Sequence, residues 1–147
     1  MKKEFVIRGR TASGQSEKLS FSGHKKGYAY KIVEFALYPT SNIPAVNFDA
    51  VGSITAGKTS VDPTDPDFRL EGLIATTLFK SQANVAYPAD TISVLNDTFL
   101  ITQDLILTVR ETDAGLPVNW QCRFESVKMS GPEEAVANYR QFLISDD

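Results

Sequence analysis

The alternation from Thr98 to Ser130 constrains the fold of this chain more than any other stretch. Phe99, Ile101, Leu105, Leu107 and Val109 share one parity, whereas Thr102, Asp104, Thr108 and Arg110 take the other, which is the two-residue period of a half-buried strand. After Thr112-Asp113-Ala114-Gly115, which reads as a turn, Val118, Trp120, Cys122 and Phe124 repeat the pattern against Asn119, Gln121, Arg123 and Glu125. The spacing predicts a long antiparallel hairpin with one dry face. Beyond Phe124 the phase slips, because Val127 and Met129 have the other parity, and this predicts a bulge or strand exit near Glu125-Ser126.

The remainder also reads as strands and turns. Glu4–Arg10 opens with a β-prone run, and Lys18–Ser22 alternates briefly before a basic tip, Gly23-His24-Lys25-Lys26-Gly27, bounded by glycines. Tyr28–Tyr38 carries large apolar groups on both parities: Tyr28, Tyr30 and Ile32 on one, Val33, Phe35 and Leu37 on the other. A strand wet on one side does not need this, so the pattern predicts either a central strand or a face covered by a partner chain. Val46–Thr55 and Leu70–Lys80 are further strands, with Phe48 and Val51 as core contacts of the first. Pro63 and Pro66 make the segment between them an irregular loop. Ile92–Leu95 is a short strand ended by Asn96-Asp97 and expected to pair with the start of the hairpin.

One segment is helical. Ser130-Gly131-Pro132-Glu133 supplies a Ser cap, a first-turn proline and a Glu three residues beyond the Ser, and Ala135, Val136, Tyr139, Phe142 and Leu143 then fall on one face. The expectation is an all-β domain over 1–147, a β-sandwich or jelly-roll-like barrel of seven to nine strands, with one C-terminal α-helix at about 131–145 packed on the sheet.

At 147 residues and 42% hydrophobic content the chain can bury one sizeable core. No window approaches the about 18 consecutive apolar residues of a membrane span, and Met1-Lys2-Lys3 leads into an alternating segment instead of a signal core, so no membrane contact is expected. Cys122, the sole cysteine, lies on an apolar parity and reads as a buried thiol. Charge is uneven: residues 1–31 hold eight lysines and arginines against two glutamates, a formal +6, and the rest carries −9. Such a segment suits a solvated edge strand, a nucleic-acid contact, or an arm that docks on the acidic surface of a neighbour.

Several motifs invite chemistry without completing it. Gly52-Ser53-Ile54-Thr55-Ala56-Gly57-Lys58-Thr59 spells a phosphate-binding loop, but that loop needs a parallel strand before it and a helix starting at Lys58-Thr59, where this chain continues into prolines. The stretch reads instead as a strand end and a Gly-containing turn. Asp62, Asp65 and Asp67 crowd one loop, yet Pro63 and Pro66 break the calcium-loop template. His24 is the only histidine and sits among basic residues, which supports neither a histidine metal site nor a Ser-His-Asp triad. Asp104 and Glu125 fall on the solvent parities of the hairpin and read as cross-strand surface charge in place of a catalytic pair. Trp120 belongs to the core parity, while the tyrosines leave sugar or base stacking open. No catalytic, cofactor or metal residue is assigned, and the chain is expected not to be an enzyme.

Asn96-Asp97-Thr98-Phe99-Leu100-Ile101-Thr102-Gln103-Asp104-Leu105, and Val118-Asn119-Trp120 through Tyr139, resemble small β-rich virion structural proteins of bacterial viruses. The resemblance covers about the last third of the chain. It implies a capsid, decoration or tail-associated subunit, made in the host cytoplasm and located in the virion, that works by repeated contacts with copies of itself and other structural subunits. On that expectation Lys2, Lys3, Arg8, Arg10, Lys25, Lys26, Tyr28 and Tyr30 are the candidate interface residues, and the basic N-terminal part leaves contact with packaged nucleic acid open. A carbohydrate-binding β-sandwich using Tyr87 or a cation held by Asp62, Asp65 and Asp67 is the alternative. A single-stranded nucleic-acid-binding barrel is the second.

Overall fold

The computed structural model describes residues 3–21, 27–40, 47–57, 61–82, 89–133, 135–137 and 139. Eight strands run β1 (Glu4–Thr11), β2 (Ser16–Leu19), β3 (Tyr28–Pro39), β4 (Phe48–Ala56), β5 (Leu73–Ser81), β6 (Ala89–Leu95), β7 (Leu105–Glu111) and β8 (Val118–Lys128). They form two antiparallel sheets, one ordered β1-β8-β3 and the other β2-β7-β4-β5-β6, with a short C-terminal helix. The architecture is an all-β sandwich, as the alternation predicts.

The core lies where the inward parities meet. Val118, Trp120, Cys122 and Phe124 of β8 and Leu105, Leu107 and Val109 of β7 are all buried, together with Phe99 and Ile101. The predicted hairpin between them does not form. β7 pairs with β2 and β4, β8 pairs with β1 and β3, and the two dry faces oppose each other across the sandwich instead of lying side by side in one sheet. The reason lies in the connection. The buried Glu111 carboxylate accepts hydrogen bonds from the backbone N–H groups of Asp113, Ala114 and Leu116, which draws the chain into a wide arch from one sheet to the other. The β1–β2 connection crosses alongside it. Ser13 Oγ accepts from Glu111 N–H at 2.9 Å and contacts its carbonyl oxygen at 3.2 Å, while Gly14, at φ 80°, donates its N–H to the Val109 carbonyl. Leu95 and its neighbours likewise depart from expectation: β6 pairs with β5, not with the segment that opens at Phe99.

A β-bulge explains the doubly apolar strand. The β3–β8 register shifts between Ile32 and Glu34, so Val33 is the extra residue, and the side-chain phase reverses there. Ile32 before the bulge and Phe35 and Leu37 after it therefore all enter the same core. No second apolar layer is needed to satisfy both parities. The irregularity expected at Glu125-Ser126 sits on the opposing strand, and β8 runs unbroken to Lys128. Tyr30 packs with Phe5, Phe21 and Phe124 in an aromatic cluster whose linked ring centroids are 4.9–6.1 Å apart.

In β4 the inward parity holds Phe48, Ala50 and Ile54, while Val51, expected in the core, is half-buried on the outer face. Gly52 completes the inward row because Phe35 leaves no room for more: a Cβ there would lie 2.9 Å from the Phe35 ring. β4 is antiparallel to both neighbours and continues to Ala56, as a strand end and not as the lead-in to a phosphate loop; Lys58 and Thr59 lie outside the described residues. Ser130 caps the helix as expected, its Oγ accepting from Glu133 N–H at 3.3 Å and meeting Glu133 Oε1 at 2.9 Å. The buried face differs from the expected one. Ala137 packs with Ala29, Met129 and Leu100, whereas Val136 and Tyr139 are exposed; Phe142 and Leu143 lie outside the described residues.

Candidate functional site

Two surfaces bear on function, and the first contains the expected interface residues. On the outer face of the three-stranded sheet, register aligns Arg8 of β1, Gln121 of β8 and Ala36 of β3 in one row, and Arg10, Asn119 and Tyr38 in the next. Arg8 Nε and Nη2 both donate to Gln121 Oε1, and Gln121 Nε2 passes the chain on to Glu34 Oε1 at 3.0 Å. Arg10 Nε donates to Asn119 Oδ1 at 2.9 Å. Arg123 lies 3.6 Å from Glu4 and 3.9 Å from Glu34, so acidic groups flank the arginines. Arg8, Gln121, Asn119, Ala36 and Tyr38 line an open depression of about 660 Å3, with Tyr38 65% exposed at its rim.

The other expected residues are dispersed. Lys3 is exposed, and its backbone N–H reaches Ser126 Oγ at 3.2 Å. Tyr28 is half-buried at the start of β3, opposite Lys128, and Tyr30 belongs to the aromatic cluster under the sheet. Lys2, Lys25, Lys26 and His24 lie outside the described residues, as does Tyr87. The basic segment also finds acidic partners within its own chain: Lys18 pairs with Asp104 at 3.1 Å and Lys31 with Glu125 at 3.9 Å. These two carboxylates were expected to face each other, but Asp104 precedes β7 in one sheet and Glu125 sits in β8 of the other. Asp104 Oδ1 also accepts from Phe21 N–H at 2.6 Å.

The remaining chemical candidates are turned inward or onto their own loops. Asp62 accepts from Thr64 N–H and Oγ1, which holds its carboxyl below the ordinary value, and Asp67 is lowered in the same way by the Arg69 side chain and N–H. Among the described residues no group of three or more His, Cys, Asp or Glu side chains converges as a metal set. Trp120 is buried against Gly9 and donates its Nε1–H to Thr11 Oγ1 at 2.9 Å. Cys122 is fully buried, and burial, reinforced by the nearby Glu34 charge, pushes its thiol up and away from reactivity. No described helix is long and apolar enough to cross a membrane.

The second surface was not singled out by sequence reasoning. β6 ends the five-stranded sheet, and its outer face carries Ile92 and Val94, which are 60% and 47% exposed. Register sets them beside Leu78 and Thr76 of β5. The loop before β5 adds Phe68 and Leu70, 64% and 47% exposed, around a depression of about 350 Å3 shared with Val94 and Leu95. Phe68, Leu70 and Val94 thus line one depression near the sheet edge, and Ile92 is exposed two residues away along β6. The available sequence signals were the Ile92-Ser93-Val94 alternation and two apolar residues after Pro66, but neither tells which strand ends the sheet.

No protein-family profile matches this chain, and no curated protein matches it in sequence.

Proposed function

We propose that this chain is a virion structural subunit (capsid, decoration or tail-associated) that acts by repeated protein–protein contacts, with the β5–β6 edge as its principal contact surface. The observation that carries the reading is the coincidence of a terminal strand with exposed Phe68, Leu70, Ile92 and Val94. A sheet edge offers a row of main-chain hydrogen-bonding groups, and a surrounding apolar patch adds a driving force for association that a solitary soluble domain does not require. Arg8 and Arg10 are occupied by neighbouring amides, so the outer face of the three-stranded sheet contributes less to this reading than its charge suggests. Quantitative mass spectrometry of purified particles tests it. A fixed copy number per particle is expected; a chain found only in the soluble fraction of infected cells contradicts the reading.

A carbohydrate-binding role has one observation in its favour, the exposed Tyr38 beside Arg8 and the Ala36 depression. A glycan array with and without calcium tests it. Retained glycans lost on Tyr38→Ala support that role, and an array without hits removes it.

A further inference from the structure

We propose that the partner at the β6 edge is a second copy of this chain, joined by antiparallel β6–β6 pairing about a two-fold axis at Ser93. The inference rests on the reading of β6 as the assembly edge and adds the identity and register of the partner. Two hydrogen bonds fix which main-chain groups are available. The Ile92 carbonyl accepts from Thr77 Oγ1 of β5 at 3.2 Å, and Asn96 N–H donates to the Ile74 carbonyl at 2.7 Å. Even-numbered residues of this segment therefore turn their main-chain groups towards β5, and strand alternation turns those of Thr91, Ser93 and Leu95 outwards. The Ser93 side chain turns to the inner face, where it donates to the Phe35 carbonyl of β3 at 3.0 Å, and among the described residues no main-chain partner reaches the outward main-chain groups themselves.

An antiparallel partner must pair odd residues with odd residues, and two central registers do so. With the axis at Ile92, each Val94 opposes Asp90 of the other copy, an apolar group against a carboxylate. With the axis at Ser93, Ser93 faces itself, Thr91 faces Leu95, and Ile92 faces Val94 on both sides of the axis. Those Ile–Val pairs fall at the closely spaced positions where β-branched side chains pack best across strands. Asp90, the one charged side chain of β6, then meets Asn96 instead of a like charge. About six main-chain hydrogen bonds join the two five-stranded sheets into one. Phe68 and Leu70 extend the contact beyond the strand. The apolar self-match of one short strand, with its single carboxylate set opposite an amide instead of its own copy, favours a second copy over a dissimilar chain, for which neither would be required. The contact is one short strand pair with its flanking side chains, so it is expected to dissociate on dilution.

Sedimentation of the full chain over a concentration series tests the proposal. Twice the monomer mass is expected at about 100 μM, falling towards the monomer mass at lower concentration. Thr91→Pro removes an outward N–H while sparing the bonds to β5, and edge strands accept proline in that orientation. It is expected to weaken association about a hundredfold, with circular dichroism unchanged and Tm unchanged at concentrations where the wild type is also monomeric. Ile92→Lys is the second variant and gives a folded monomer if proline perturbs the strand. Ile92→Cys mixed with Val94→Cys is expected to give a disulfide-linked pair on oxidation, which Ile92→Cys alone does not. A wild-type monomer at about 100 μM, a dimer that survives Thr91→Pro and Ile92→Lys, or preferential cross-linking of Ile92→Cys to itself each overturns the proposal. Particle incorporation is read separately. A monomeric chain with fixed copy number in particles contradicts only the second-copy inference, and a dimer absent from particles contradicts only the virion reading.

Discussion

The outer face of the three-stranded sheet and the β5–β6 edge are opposite kinds of surface. On the first, Arg8, Arg10, Gln121, Asn119, Glu34 and Arg123 form a ladder of hydrogen bonds and ion pairs whose members satisfy one another. On the second, Phe68, Leu70, Ile92 and Val94 remain exposed beside the outward main-chain groups of a terminal strand. The difference teaches that charge in a sequence does not tell which side chains are already engaged within the fold. Long side chains fold back onto neighbours within the sheet; the terminal strand β3 finds main-chain partners at Ile101, whereas β6 presents its outward main-chain groups beside exposed apolar side chains.

On this contrast, substitutions at and under the three-stranded sheet are expected to act on folding, and those at the β6 edge on association. The largest effect is expected beneath the sheet. Phe124 is fully buried, with ring centroids 5.6 Å from Phe5 and 4.9 Å from Phe21, and Phe124→Ala should cost about 4 kcal/mol in denaturant unfolding. Glu111→Ala follows at about 3 kcal/mol, because it strands the backbone donors that form the arch between sheets.

Burial of Glu111 opposes its ionisation, but the N–H groups of Ala114, Asp113, Leu116 and Asp49 outweigh burial and hold its carboxyl below the ordinary value. A depressed carboxylate gives its full stabilisation above the ordinary glutamate value of 4.5 and loses it as pH falls through the lower folded value. Unfolding measured from neutrality into acid should therefore show a steeper loss in the wild type than in Glu111→Gln. Ile92→Lys should change monomer stability by no more than about 0.5 kcal/mol while abolishing self-association in sedimentation. The smallest effect belongs to Arg8→Ala, expected within about 0.5 kcal/mol by the same unfolding assay and without influence on association. If Arg8→Ala disperses the assembly and Ile92→Lys does not, the two surfaces exchange roles.

The facing of side chains was legible in the sequence, and their neighbours were not. Leu105, Leu107, Val109, Val118, Trp120, Cys122 and Phe124 point inward as their parity requires. Parity specifies a face and says nothing about which strand lies alongside, so two consecutive amphipathic strands look the same in a hairpin and in opposite sheets. The arch that decides between them depends on the buried carboxylate of Glu111, a residue whose parity with Val109 was visible but whose backbone contacts were not. The bulge at Val33 likewise turned one core face into an apparent pair of faces.

At the candidate site, Arg8 and Arg10 were identifiable by charge, but their amide partners at Gln121 and Asn119 lie more than a hundred residues away. Ile92 and Val94 were legible as strand residues. Their exposure follows from the outer face they occupy, and their place beside unpaired main-chain groups from β6 ending the sheet, a property of strand order that no local pattern encodes.

Hydrogen exchange of individual amides at two protein concentrations, one above and one below dissociation, tests the central claim most directly. Protection of the Thr91, Ser93 and Leu95 amides should rise with concentration, while Ile92 and Val94, turned towards β5, stay protected at both. Concentration-independent exchange at Thr91, Ser93 and Leu95, or a concentration-dependent change confined to β1 and β3, would contradict the assignment of β6 as the assembling edge.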